Sequence, residues 1–296
     1  MDRLRASDFP QEVLKLFDGY VHGMLDRREF LDGAAKYAVG GFSAAAMLEA
    51  LRPNYAMAQQ VPKNDPRLKI ETLSYSSPLG TGTMKGYLAR PVNAKGKLPA
   101  IVVIHENRGL NPHIEDITRR IALDGYLAFA PDAMTPLGGY PGDEEKAVKM
   151  FGTLDPVARL NDLIAGANVV KTHAESNGRL GAVGFCFGGG ICNIFATRMP
   201  DLLASVPYYG AQPAAADVTN IKAPLQIHYA GLDDRINAGW PAYEAALKAN
   251  KKTYEAFIYP NVNHGFNNDT TPRYDKAAAD LSWQRTMAFF AKHVKG

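Results

Sequence analysis

The stretch Gly184-Phe185-Cys186-Phe187-Gly188-Gly189-Gly190 limits the folds open to this chain more than any other. A continuous apolar run from Leu180 to Phe185 leads into it, and a helical pattern from Gly189 to Arg198 leads out. Where a buried strand turns sharply into a helix the two backbones crowd together, so the flanking positions must lack side chains. The residue at the apex is held on a strained turn, and a helix N-terminus beside it favours thiolate over thiol. This is the spacing of a nucleophile elbow with cysteine in the serine position, and it aims the backbone N–H of Phe187 at a developing oxyanion. The plain alternative is an inert cysteine in a glycine-rich turn. A phosphate loop is disfavoured, because no Lys-Ser/Thr follows the glycines. Cys192, within the following helix, reads as a small core residue.

The surroundings agree with a strand–helix alternation. Ile70 to Tyr75 and Thr83 to Ala89 read as an antiparallel pair at a sheet edge, joined by a glycine-rich turn. Ala100 to Ile104 is a continuous, mostly β-branched run, the mark of a strand buried on both faces. Weaker strands follow at Tyr126 to Ala130, Leu180 to Phe185, Ser205 to Tyr209, Leu225 to Ala230 and Tyr254 to Tyr259. Helical patterns lie between or after them at Ile114 to Leu123, Val157 to Thr172, Gly189 to Arg198, Pro241 to Ala249 and Asp275 to His293. The order predicts an α/β class chain, a mainly parallel doubly wound sheet covered on both faces. With the elbow, it predicts an α/β-hydrolase fold over residues 61–296.

A length of 296 residues, 46% hydrophobic and 21% charged, suits one large domain plus an extension. The net charge of +3 comes without a basic block interleaved with aromatics, which argues against nucleic acid as a partner. No apolar run is long enough for an integral membrane segment. The two cysteines, Cys186 and Cys192, point to different sides if they share one helix, so no disulfide framework is expected. No C-x-x-C pair or His/Cys/acid cluster is visible in the sequence, and neither a metal nor another cofactor is expected.

Residues 1–60 form a separate extension. Ser7-Asp8-Phe9-Pro10 resembles a helix start, leading into an amphipathic stretch through Phe17, Val21 and Leu25. Paired Arg27-Arg28, then Phe30-Leu31, an alanine- and glycine-rich run from Gly33 to Leu51 and Ala56-Met57-Ala58 together resemble a twin-arginine export signal. Against it, Lys36 and Glu49 interrupt the run, about twenty-five residues precede Arg27, and an oxidising compartment would threaten a nucleophilic thiol. Two readings stay open: a periplasmic protein cleaved after Ala58, or a cytoplasmic one that keeps a helical arm.

Elbow enzymes carry their acid and histidine on later loops, each after a strand. Gly231-Leu232-Asp233-Asp234 follows one strand and Pro260 to His264 follows the next. The histidine would take the thiol proton and return it to the leaving oxygen, while the carboxylate fixes the histidine tautomer. Asp233 and Asp234 compete for that role, and spacing does not separate them. Met134 to Asp143 reads as a flexible loop able to cover a pocket, with Tyr140 as a wall or hydrogen-bond donor. Asp132 reads as a turn acid, and Tyr208, Tyr209, Trp240 and Trp283 as packing residues.

From Ile70 onward these residues resemble the dienelactone hydrolase family. The resemblance rests on Gly-x-Cys-x-Gly-Gly, Gly231-Leu232-Asp233, His264-Gly265-Phe266, and Val103-Ile104-His105-Glu106 before Arg108-Gly109-Leu110-Asn111. It extends to a subgroup with an N-terminal Arg-Glu-Phe-Leu segment. The resemblance implies Asp233 rather than Asp234, a Glu106 that holds the resting thiol and releases it on substrate binding, and the backbone N–H of Asn107 as second oxyanion donor. A carboxylate beside a thiol opposes thiolate formation, which fits a protonated resting state. A salt bridge between Glu106 and Arg108 is the plain alternative. The family's substrate-binding arginine shortly after the histidine is missing from Gly265-Phe266-Asn267-Asn268, and none occurs before Arg273. Arg108 and Arg235 offer positive charge, against a plain reading as solvated surface groups.

The expected activity is that of a carboxymethylenebutenolidase-like hydrolase, cleaving a small carboxylic ester or lactone through a Cys186–His264–Asp233 triad and a thioester. The competing classes are a non-catalytic binding protein on this fold and a redox-active thiol protein. Oligomeric state is left open.

Overall fold

The computed structural model describes residues 4–38, 42–57 and 59–295. The possible cleavage point at Ala58 lies outside them, as does part of the alanine-rich run.

The chain opens with three short helices, α1 (Gln11–Val21), α2 (Arg27–Ala34) and α3 (Ala44–Leu51). Two antiparallel strands follow, β1 (Leu68–Ser77) and β2 (Gly82–Pro91). Then come β3 (Leu98–Ile104), α4 (Pro112–Leu123), β4 (Leu127–Pro131), α5 (Glu144–Gly152) and α6 (Pro156–Thr172). The second half runs β5 (Ser176–Phe185), α7 (Phe187–Arg198), β6 (Ala204–Tyr208), β7 (Leu225–Ala230), α8 (Asp234–Asn237), α9 (Trp240–Ala249), β8 (Tyr254–Tyr259) and α10 (Lys276–Phe290).

The strands form one eight-stranded sheet in the order β1-β2-β4-β3-β5-β6-β7-β8. Pairing is antiparallel at β1–β2 and β2–β4 and parallel elsewhere. The expected edge pair is therefore present, and the expected strands and helices all form, mostly one to four residues longer. α5 was not expected: Asp143 caps it by accepting the Lys146 amide, so helix begins where the sequence suggested only the end of a loop.

Burial explains the continuous apolar strands. Along β3, Ile101 and Val103 pack on the side covered by α4 and α10, while Ala100, Val102 and Ile104 pack on the side covered by α6 and α7. Both faces are dry, so alternation disappears from the sequence.

The N-terminal helices build their own small core from Val13, Leu14, Phe17, Phe30, Met47 and Leu51, separate from the sheet cores. Asp26 caps α2 by accepting the Glu29 amide, and the Glu29 side chain accepts the Asp26 amide in return. Arg27 and Arg28 thus open a helix. The helix start expected at Ser7-Asp8 is displaced: Asp8 accepts the Arg5 amide, Pro10 precedes α1, and Leu25 lies beyond its end. Polar contacts between this arm and the body include Gln11 to Asn263 at 2.7 Å and Lys15 to Asp234 at 2.9 Å.

Candidate active site

The C-terminal ends of β3, β5, β7 and β8 deliver Glu106, Cys186, Asp233 and His264 to one edge of the sheet, where ligands bind in open α/β sheets. Cys186 occupies the strained position the elbow requires, at φ +56° and ψ −113°. Its amide donates to the Tyr208 carbonyl at 3.0 Å, and its carbonyl accepts from Gly190 at 3.2 Å. The glycines are steric necessities. A Cβ on Gly184 would sit 2.1 Å from the Gly188 oxygen, and one on Gly188 would sit 2.2 Å from the Ile104 oxygen. Phe187 is the first residue of α7, where helical amides lack intrahelical acceptors. Both cysteines are free and buried.

His264 Nδ1 lies 2.5 Å from Asp233 Oδ2, and Asp233 is steadied by accepting the Ile236 amide at 3.2 Å. Asp234 instead faces solvent and pairs with Lys15. Geometry therefore separates the two aspartates where spacing did not. His264 Nε2 is buried and has no hydrogen-bond partner among the described residues. It belongs to a cluster of His22, Cys186 and His264 whose ligating atoms all lie within 4.8 Å of one another. Tyr209, at φ +37°, places its ring 4.9 Å from that of His264, so it forms a wall of the site as well as packing.

The thiol's hydrogen-bond partner comes from the arm. His22 Nε2 is 3.1 Å from Cys186 Sγ, and its Nδ1 is 2.7 Å from the Asp18 carbonyl oxygen and 3.3 Å from Asp18 Oδ1. Asp18 in turn accepts from Arg235 at 3.3 Å and Arg273 at 3.4 Å. Burial opposes the charge on Asp18, but His264, His22 and Arg273 outweigh it and hold the carboxyl far below its usual range. Burial also opposes a charged His22. The Cys186 sulfur and Asp18 prevail, and its pKa is raised.

Glu106 has polar partners of its own at this end of the sheet. Its Oε2 accepts from Asn268 at 2.9 Å and faces Arg108 at 3.8 Å. Burial would raise its pKa, but Arg108, His113 and Arg273 lower it on balance. The plain reading of Arg108 as a solvated surface group is also wrong: it is buried and ion-paired with Glu144. Arg235 is partly exposed and sits over Asp18 and His22. Tyr140 spends its hydroxyl on Glu144 at 2.7 Å and packs edge-on against Tyr55. The Asn107 side chain donates to the Val21 carbonyl at 2.7 Å, so the end of α1 is tied down beside the expected oxyanion donor. A cavity of about 470 Å³ lies along this seam, bounded by Tyr20, Val21 and Arg27 of the arm and Arg108, Glu144 and Val148 of the body.

His22, Asp18, Asn268 and Arg273 were not singled out from sequence. Arg273 is recovered because Gly265, at φ +81°, lets the loop double back until the guanidinium is buried beside the glycine. His22 and Asp18 do lie four apart on a helical pattern, but nothing in that pattern says which surface the helix meets. A second acid–histidine group, Glu71, His173 and Glu175, is half-exposed, and Arg90 already pairs with Glu175 at 2.8 Å.

The sequence model of the dienelactone hydrolase family matches residues 84–294. The chain belongs to this family. A second family model, described as YqhI-like, matches residues 1–38, the part that carries Asp18 and His22. Among curated relatives of this dienelactone hydrolase family member is an Escherichia coli (strain K12) protein named "Putative carboxymethylenebutenolidase". It is 34% identical over 235 residues, covering 74% of this chain and 86% of that one. The same strain's "Putative hydrolase fragment YghX" is 49% identical over 114 residues, 38% of this chain and 97% of the relative. The crystal structure of a "Putative Dienelactone Hydrolase" from Klebsiella pneumoniae subsp. pneumoniae MGH 78578 superposes with a TM-score of 0.67 at 30% identity. That match covers 76% of this chain and all of the other. The α/β-hydrolase fold of this hydrolase is thus shared with its family, and among the described residues no helix is long and apolar enough to cross a membrane.

Proposed function

We propose that this family member hydrolyses a small carboxylic ester or lactone, with Cys186 as nucleophile and His264–Asp233 as its proton-transfer pair. The observation that carries the reading is the unpartnered, buried Nε2 of His264, on a ring oriented by Asp233 and with a nitrogen within 4.8 Å of the elbow thiol. His264 takes the thiol proton as Sγ bonds to the carbonyl carbon, and the resulting oxyanion is met by the Phe187 and Asn107 amides. Collapse of that intermediate breaks the C–O bond, and His264 returns the proton to the departing oxygen. The thioester is then hydrolysed by water activated at the same imidazole. His22 stands at the sulfur, so its side chain must yield as the carbonyl approaches.

Arg273 and Arg108 place two buried guanidiniums near the site, which favours a substrate carrying negative charge beside the scissile bond. A panel of aryl esters and lactones, with and without a carboxylate, tests the proposal on wild type, Cys186→Ala and His264→Ala. Loss of turnover in both variants is expected; equal hydrolysis by all three would overturn it.

A further inference from the structure

We propose that the N-terminal arm makes this centre a binding site for a borderline-soft divalent cation, zinc above all, ligated by Cys186 Sγ and by Nε2 of His22 and His264. The body supplies two of these ligands and the arm supplies the third. One pair is already 3.1 Å apart and all three lie within 4.8 Å. A tetrahedral zinc with Zn–N of about 2.0–2.1 Å and Zn–S of about 2.3 Å spaces its ligand atoms roughly 3.3–3.6 Å apart. Side-chain adjustments on the order of 1 Å therefore close the site.

The outer groups point the same way. Each imidazole is anchored through Nδ1 next to an aspartate: His264 on Asp233 at 2.5 Å, and His22 on Asp18 at 2.7 Å to the carbonyl and 3.3 Å to the carboxylate. That second contact orients a metal-binding imidazole and raises its basicity. In the neutral ring the Nδ1 proton goes to Asp18, and the Nε2 lone pair is the one presented to the thiol. Arg235, which has only donors to offer, approaches that same Nε2 at 3.2 Å. His264 Nε2 is a buried lone pair with no partner among the described residues. The nearby carboxylates of Asp18 and Asp233 offset the cation's charge. Arg235 opposes it, but its side chain is partly exposed and already paired with Asp18. Three protein ligands leave a fourth position for water, as in open zinc sites.

Binding would exchange the thiol proton for the cation, with the proton released to solvent, and would occupy the Nε2 of His264. The cation thus silences whatever chemistry Cys186 performs, while its binding requires only the thiol and the two imidazoles. The test titrates Co²⁺ into chelator-treated full-length protein and follows the thiolate-to-cobalt charge-transfer band, with Zn²⁺ as competitor. One Co²⁺ per chain is expected, with the charge-transfer band lost in Cys186→Ala. His22→Ala and His22→Gln are expected to weaken binding at least about tenfold, with circular dichroism and unfolding temperature as controls for folding. Identical titrations for wild type and a folded His22 variant, or no uptake by wild type at millimolar Co²⁺, would overturn the proposal. Hydrolysis by the metal-free wild type and Cys186→Ala is measured in parallel, so that a failed nucleophile assignment is read separately.

Discussion

His22 Nε2 lies 3.1 Å from Cys186 Sγ across 164 residues of sequence. The elbow cysteine's immediate neighbour is therefore supplied by the N-terminal arm, outside the stretch matched by the dienelactone hydrolase family. A single imidazole thus ties the arm to the elbow sulfur.

That contact screens the thiol. Replacing His22 by alanine removes a hydrogen bond worth about 1 kcal/mol, roughly a fivefold effect, and opens one side of the sulfur. Iodoacetamide labelling of Cys186, run at alkaline pH where a neutral His22 no longer favours the thiolate, should accelerate by about that factor. Fully buried Cys192 serves as the unreactive internal control in the same mass spectrum. An unchanged rate would mean that the arm does not shield the site.

The same residue makes stability depend on pH. His22 is raised above its usual value, chiefly by Cys186 and Asp18 once the opposing cost of burial is overcome, while His264 and Arg235 work against its charge. A raised folded pKa contributes stability that is complete below the unfolded value of about 6.5 and disappears as pH climbs through the folded one. The stability gap between wild type and His22→Gln, from urea unfolding, should therefore be larger at mildly acidic pH than at alkaline pH. A gap that widens toward alkaline pH has the wrong sign for this account.

Among the proposed catalytic groups the expected losses are graded. Cys186→Ala should cost at least about 10³-fold in kcat, and His264→Ala and Asp233→Asn about 10²–10⁴-fold. Asp234→Asn, altering an exposed partner of Lys15, should stay near wild type. Steady-state kinetics on an activated ester reads all four, and equal losses at the two aspartates would break the assignment to Asp233.

Gly188 is fixed by contact rather than by charge. A methyl group there meets the Ile104 carbonyl at 2.2 Å, so Gly188→Ala must push β3 and α7 apart. Overpacking of this kind costs about 1–3 kcal/mol. Gly152→Ala has open space around the new methyl and serves as the contrast. Thermal unfolding should show a clear drop for the first and little change for the second.

Most of the body was legible because its signals are local. Strands such as Ala100–Ile104 read as doubly buried from their unbroken apolar character, and the glycines around Cys186 disclosed a turn too crowded for side chains. The order cysteine, aspartate, histidine followed from strand ends, with Asp233 and Asp234 left unseparated. α5 was missed because its flanks, rich in glycine and proline, carry turn chemistry up to its cap at Asp143. Arg108 was misjudged because burial of a charge depends on a distant partner, here Glu144, which sequence position does not reveal.

The amino-acid sequence by itself determined the layered α/β body, the elbow and the chain order of its chemical groups, since periodicity and backbone sterics act between near neighbours. It left Asp233 and Asp234 equivalent, and it showed the seven histidines as scattered residues. Only the tertiary structure turned Asp233 toward His264, returned Arg273 to the site and set His22 upon the thiol. Those placements depend on how an amphipathic helix and two loops dock across the sheet edge. Contacts between residues from 31 to 164 positions apart leave no periodic trace in the chain.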